Sequence, residues 1–425
     1  DLVRSRGLGD VYKRQTYSRD FSVKELPHVK VIRRFQAWDE LPVLPEGRIG
    51  IYVGSHTHFS EKQNRAIDRF CATYDAIVIC DHTSGYYGKY KLLPTLVQLQ
   101  SDITSPFPPL DLMVHIGEIS AASFNDTIPA KEVWRVSEDG ELRDPFKKLT
   151  TVFQMSEEIF FLHYGKDGCN RHVLIDECRE LFGEIYEQIP ELPFCNIWTA
   201  MQLSSRLPKG ALFHMGVSNT RRCWNMFQLP ESVESACNVG CCGIDGCVST
   251  LVGASLVNPD RLCYVVVGDL TFFYDLNSLG NHHIGTNLRV MLVNNGRGTE
   301  FRLGIHHCNV FGDDADKYMA AAGHFGNKSP LLVKHYAEDL GFHYLSATTK
   351  EEFMTALSNF TNPQLSDHSM ILEVFTDSKD ESEALYLMSH IQSDAKGMVR
   401  SKLKDAVRNV AGEKGINAIK KILKK

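Results

Sequence analysis

Short apolar runs that end in glycine or a small polar residue, spaced by stretches of helical length, constrain the fold of this chain more than any other feature. Residues 48–53 form one such run and stop at Gly54-Ser55. Helical periodicity follows through Phe70, and residues 76–80 form a second run, together a βαβ unit. Residues 112–116 stop at Gly117-Glu118, and 132–136 follow. The pattern resumes at 211–215, 263–267, 290–293 and 370–375, with a helix expected over 197–205 and a small-residue helix over 249–255. Strands alternating with helices predict parallel sheets covered on both faces. The expected fold class is therefore α/β, with two doubly wound parallel-sheet domains.

Length agrees with two domains, since 425 residues exceed what one core usually serves. The expected division is 1–15, a sequencing artefact; 16–48, a linker with one strand at 29–33; 49–190, a central Rossmann-like domain; 191–378, a second α/β domain; and 379–425, a helical basic tail. Residues 1–15 show no apolar periodicity and resemble translated adapter read-through, so they are set aside. The stretch 145–192 reads as less regular, with one helix over 173–188. In the tail, Leu403, Val407 and Val410 fall on one helix face among Lys and Arg. A membrane-surface or partner helix and a helix packed on its own or a neighbouring subunit both fit. The narrow stripe, interrupted by Gly412 and Gly415, favours packing.

Composition narrows the class. Hydrophobic residues at 43% and charged residues at 23% are those of a soluble globular protein, and a net charge of −6 gives no reason to expect nucleic acid. Apolar stretches such as 264–267 and 290–293 are too short to span a bilayer, and the N-terminus lacks the apolar segment of a signal peptide. The 12 cysteines show no CxxC pair and no regular spacing, so a cytoplasmic setting is expected. Cys237, Cys241, Cys242 and Cys247 cluster; a metal site and small residues packed near a turn are the two readings, and the unpaired spacing favours the second.

Chemistry concentrates around Gly268-Asp269-Leu270-Thr271, which follows the run 263–267, and Asn294-Asn295, which follows 290–293. This places a carboxylate and an amide at the carboxyl ends of two parallel strands, where α/β sheets hold ligands. Both are hard oxygen donors suited to Mg²⁺, whose shell is commonly completed by phosphate oxygens and water. The alternatives are an Asp that only caps a helix, or a nucleotide site using Asp269 for ribose; no GxGxxG follows the first strand of either domain.

Three motifs give the pattern a resemblance. Gly268-Asp269-Leu270 is followed by Tyr274-Asp275-Leu276-Asn277, and upstream stand Gly243-Ile244-Asp245-Gly246, Ser249-Thr250 and Gly253. These resemble the motifs of thiamine-diphosphate enzymes, in particular the succinyl-transferring synthases of menaquinone biosynthesis, in which the third position of Gly-Asp-Gly departs from glycine. The resemblance covers most of residues 30–378. It implies thiamine diphosphate and Mg²⁺ as cofactors. Asp269, the Asn295 side chain and the Arg297 carbonyl would hold the metal. Gly243, Gly268, Leu270, Thr271 and Gly298 would join them around the cofactor, Leu270 and Thr271 through backbone amides or the hydroxyl. Ile244 would keep the cofactor bent. Ser218 and Arg222, which follow Gly216, would face the substrate, Arg222 suiting a carboxylate; a surface ion pair is the other reading of Arg222.

The chain also departs from that family. Asn238-Val239-Gly240 has valine where the family has a substrate-binding arginine, and Arg297, Glu300 and Arg302 add charge to a segment that is glycine-rich in the family. These charges either read a different substrate or pair with one another, and they suggest altered specificity, such as a role in cell-surface polysaccharide assembly. Of His306-His307, in the loop after the metal motif, His307 is a candidate to approach substrate. His282-His283 are expected on the helix between the motifs, with a structural role.

The resemblance implies decarboxylation of a 2-oxo acid and transfer of the acyl carbanion equivalent to an acceptor, in a homodimer or homotetramer. In that family a Glu facing the pyrimidine ring comes from an N-terminal pyrimidine-binding domain of the partner subunit. No such domain precedes residue 30, so the chain is expected to turn over nothing alone. A non-catalytic cofactor-binding subunit that needs a partner is the rival.

Overall fold

The computed structural model describes residues 31–103, 107–118, 128–303 and 329–393, with isolated positions between 306 and 317. From Arg33 onward they belong to one compact unit. His307 and the tail residues Leu403, Val407 and Val410 lie outside the described residues.

The first half is β1 (Arg33–Gln36), β2 (Ile49–Val53), α1 (Glu61–Tyr74), β3 (Ile77–Cys80), β4 (Lys91–Leu92), α2 (Thr95–Leu99), β5 (Leu110–Ile116), β6 (Ala130–Val136), β7 (Leu149–Gln154), α3 (Glu157–Tyr164) and α4 (Val173–Glu187). Its strands pair in the order β1-β7-β6-β5-β2-β3-β4, all parallel. β3 and β4 build to one side of β2, and β5 to the other. Local chemistry starts and stops the helices: Ser60 and Gln63 form a capping box at the head of α1, and Asp75 ends it in the left-handed region.

The second half is α5 (Asn196–Leu203), β8 (Leu212–Met215), α6 (Asn219–Trp224), β9 (Glu234–Cys237), α7 (Cys247–Val257), β10 (Cys263–Gly268), α8 (Asp269–Asp275), β11 (Leu288–Asn294), α9 (Leu332–Asp339), β12 (His343–Ala347), α10 (Lys350–Phe360), β13 (Met370–Phe375) and α11 (Ser378–Ser389). The order is β12-β13-β11-β10-β8-β9, again all parallel. Val265, Val267, Val290 and Leu292 are wholly buried in one core with Val248, Leu251 and Val252 of α7. Burying each such side chain contributes about 1.5–3 kcal/mol before the entropy of ordering it.

The two parallel sheets are the α/β architecture the alternation predicts. Some elements differ. The stretch 145–192 is not irregular: β7 lies inside the first sheet, paired on both sides, and α3 follows it. Its sequence, LTTVFQ, hides the strand because a buried Thr151 breaks the apolar run. β9 and β12 were not expected either. Both are edge strands of mixed polarity, since one side of each is left unpaired. The strand expected at 29–33 begins at Arg33 and pairs with β7. His282 and His283 are in an exposed turn, not a helix, because the chain after α8 tightens into a 3-10 turn over Leu276–Gly280.

The winding direction changes between β2 and β5 in the first sheet and between β8 and β10 in the second, where β13 then returns to lie between β12 and β11. Side chains lock these two crevices against each other. His82, just past β3, donates its backbone N–H to Asn225 Oδ1 at 3.0 Å, its Nε2 lies 2.9 Å from the Phe227 carbonyl, and its own carbonyl accepts from Ser235 Oγ at 2.7 Å. Gln100 bonds Met388 O and Ile391 N, joining α11 to the first half. Among the described residues no helix is long and apolar enough to cross a membrane.

Gly54 closes the first crevice. Its N–H donates to Ile116 O, and an added Cβ would lie 2.4 Å from the Glu118 carbonyl oxygen, a backbone atom that cannot swing aside. Gly54→Ala is expected to cost about 1–3 kcal/mol, read as a lower urea midpoint at unchanged slope.

Candidate functional site

Asp269 follows β10 directly and is 2% exposed. Its Oδ1 accepts from Leu270 N at 2.8 Å and its Oδ2 from Gly296 N at 2.6 Å. The loop after β11 therefore folds back onto the aspartate. Gly296 makes this possible by adopting φ +82°, which a side chain would oppose. The two asparagines divide the work. Asn294 is buried and donates to Glu373 Oε1 at 2.7 Å, fastening β11 to β13, while Asn295 stands in the loop with its Oδ1 3.3 Å from Arg297 N. The structure thus brings Asp269, Asn295, Arg297 and Gly298 to neighbouring strand ends.

The Gly243–Gly246 loop is joined to the same place. Asp275 Oδ2 accepts from Ser249 N at 2.7 Å, so the segment after Asp269 caps the head of α7. Asn238 Nδ2 braces the loop by donating to Gly246 O at 3.1 Å. Gly246 holds φ +78°, and Ile244 is half-buried. Cys237 is half-buried, Cys241 and Cys242 exposed and Cys247 buried; among the described residues no group of three or more His, Cys, Asp or Glu is placed to hold a metal ion. His306 packs edge-on against Phe301.

A cleft of about 160 Å³ lies where the two crevices meet. Gly54, Ser55, Asp81 and Glu118 line it from the first sheet, and Val217, Ser218, Arg221, Arg222, Val239 and Glu300 from the second. Ser218 is held at φ 58°, ψ −117°, a conformation suited to glycine and costing about 1–3 kcal/mol. Arg222 does not stand ready for a substrate carboxylate. Its two terminal nitrogens donate to Glu300 Oε1 at 2.6 Å and Oε2 at 3.0 Å. Glu300 therefore reaches out of its own loop rather than pairing with Arg297 or Arg302.

Sequence reasoning did not place Asp81, Gln98, Glu118 or Arg221 at a site. Glu118 and Asp81 each stand just past the end of a parallel strand, the same position that singled out Asp269, so that rule applied to the first sheet would have found both. Gln98 and Arg221 lie on helices and carry no such signal.

Comparison with known proteins gives the same assignment from outside. No protein-family profile matches the chain. A 2-succinyl-5-enolpyruvyl-6-hydroxy-3-cyclohexene-1-carboxylate synthase of Bacteroides fragilis is 34% identical over 263 residues, 60% of this chain and 45% of the relative. Synthases of the same name from Bacteroides thetaiotaomicron and Phocaeicola vulgatus are each 27% identical over 86% of this chain and 66% of their own length. The chain thus spans about half to two thirds of the length of these relatives. With its motifs gathered at the carboxyl edges of two parallel sheets, the chain is similar to these synthases in sequence.

Proposed function

We propose that the chain holds thiamine diphosphate through Mg²⁺ and forms part of an enzyme that decarboxylates a 2-oxo acid and transfers the acyl unit to an acceptor. The observation that carries this is the tether between Asp269 Oδ2 and Gly296 N, which sets the two strand-end loops side by side. The donor set suits the metal: a carboxylate, the Asn295 amide oxygen and the Arg297 carbonyl are all hard oxygens. Each Asp269 oxygen accepts a backbone hydrogen bond, which aims the carboxylate at the loop after β11. There is room as well. A Cβ added at Gly268 would meet nothing within 4 Å, and Thr299 Oγ1 is buried without a partner beside the loop.

Thiamine diphosphate, when bound, supplies the electron sink for loss of carbon dioxide. Asp269, Asn295 and Arg297 anchor its metal, with Gly243, Gly268, Leu270, Thr271 and Gly298 around it. Ile244 would be the wedge against the cofactor, and Ser218 and Arg222 line the cleft read as the substrate site. Relatives named as synthases of a succinyl-bearing product support acyl transfer of this general type, with donor specificity altered by Val239 and Glu300; we place the enzyme in the cytoplasm, as a dimer or tetramer.

The test is calorimetric titration of the full chain with thiamine diphosphate, with and without Mg²⁺. Saturable binding that requires Mg²⁺ is expected. Binding that is absent, or indifferent to the metal, would sink the assignment.

A further inference from the structure

We propose that Glu300 sets the substrate class of the cleft: by seating its own carboxylate on Arg222, it reserves the site for a 2-oxo acid whose far end is uncharged. This rests on the reading of the cleft as a substrate site and narrows it.

The pairing is two-pointed, the strongest geometry a guanidinium offers a carboxylate, and both side chains are largely buried, 13% and 24% exposed. Asn219 Oδ1 takes a further contact from Arg222 at 3.4 Å. An incoming carboxylate finds the two-pointed face of the guanidinium already occupied. To bind there it must displace Glu300, and the displaced carboxylate then stands beside the new one in the same cleft, where like charges with little solvent disfavour each other.

The rest of the lining gives no compensation. Two guanidinium groups, Arg221 and Arg222, face three carboxyl groups, Asp81, Glu118 and Glu300. Arg221 already has Asp81 at 3.9 Å. The remaining wall is apolar or neutral. Val53, Ile79, Val217 and Val239 are buried and line the cleft, and Gln98, 7% exposed, lines it with a buried Nε2 that has no partner. An aliphatic far end fits the valines, and a neutral oxygen there would satisfy the Gln98 donor.

Two five-carbon acids that differ only at the far end, 2-oxopentanoate and 2-oxoglutarate, test the inference by calorimetry on the full chain. The wild type is expected to bind 2-oxopentanoate about tenfold or more tightly than 2-oxoglutarate. Glu300→Gln frees Arg222 and is expected to tighten 2-oxoglutarate by about tenfold while changing 2-oxopentanoate by less than about twofold. A wild-type preference for 2-oxoglutarate, the same ratio in both proteins, or no binding of either acid overturns the assignment. Should the variant not fold, the wild-type preference decides alone. Magnesium-dependent binding of thiamine diphosphate is measured on the same sample. Its absence with the acid preference intact would remove the cofactor reading and leave the role of Glu300 standing.

Discussion

Replacing Asp269 by asparagine is expected to weaken magnesium-dependent binding of thiamine diphosphate by about a hundredfold, near 3 kcal/mol. Two losses add. The charge that would face the cation disappears. The amide must also present its NH2 to one of two backbone donors, since Leu270 N and Gly296 N each point at a different carboxylate oxygen. One of those bonds becomes a donor facing a donor, at about 1–3 kcal/mol, and the Asn295–Arg297 loop loses its tether. Titration of Asp269→Asn beside Asp260→Asn, an exposed aspartate outside the motifs, separates this from a general charge effect. Equal affinity in the two variants would show that Asp269 holds no metal.

The second large effect is on stability. At pH 5 the protein is expected to be about 3–4 kcal/mol less stable than at pH 7. His82, His115 and His214 are buried, and burial pushes them down from 6.5 to about 4, 3 and 4; Lys91 adds to this for His82, and Arg135 for His115. The unfolded chain takes up these protons first. Each histidine's contribution is therefore full above about pH 6.5 and is lost as the pH falls toward 4, about 2 kcal/mol apiece by pH 5.

Glu381 runs the other way. Burial raises it from 4.5 to about 7, although Asn196 N and Thr376 Oγ1 donate to its Oε1. Its contribution is full below about pH 4.5 and is lost as the pH rises through 7, so on acidification it returns about 2 kcal/mol. Glu381→Gln removes this offset and should widen the pH 5 deficit to about 6 kcal/mol. Urea midpoints at the two pH values read both numbers. Equal stability at pH 5 and pH 7 in the wild type would mean that the three imidazoles are not held neutral.

The sequence was legible where burial is symmetrical. β10 and β11 are covered on both faces and read as apolar runs over 263–267 and 290–293, and their ends mark Asp269 and Asn295. β7 was not legible, because Thr151 is buried there without interrupting the ladder. β9 and β12 were not, because edge strands tolerate polar residues. The three motifs lie in separate segments of the sequence. Their joining through Asp275 and Ser249, and through Asp269 and Gly296, required coordinates.

By itself the sequence determined the α/β class, the two parallel sheets, the positions of Asp269 and Asn295 at strand ends, and the family resemblance. All of these depend on periodicity or on residues close together in the chain. Only the tertiary structure decided that the crevices of the two sheets face one cleft, and that Arg222 is held by Glu300, 78 residues away. A charge pair at that separation leaves no periodic trace, because it is made by loops that the packing of two sheets brings together, and that packing sets which cations of the cleft a substrate can reach.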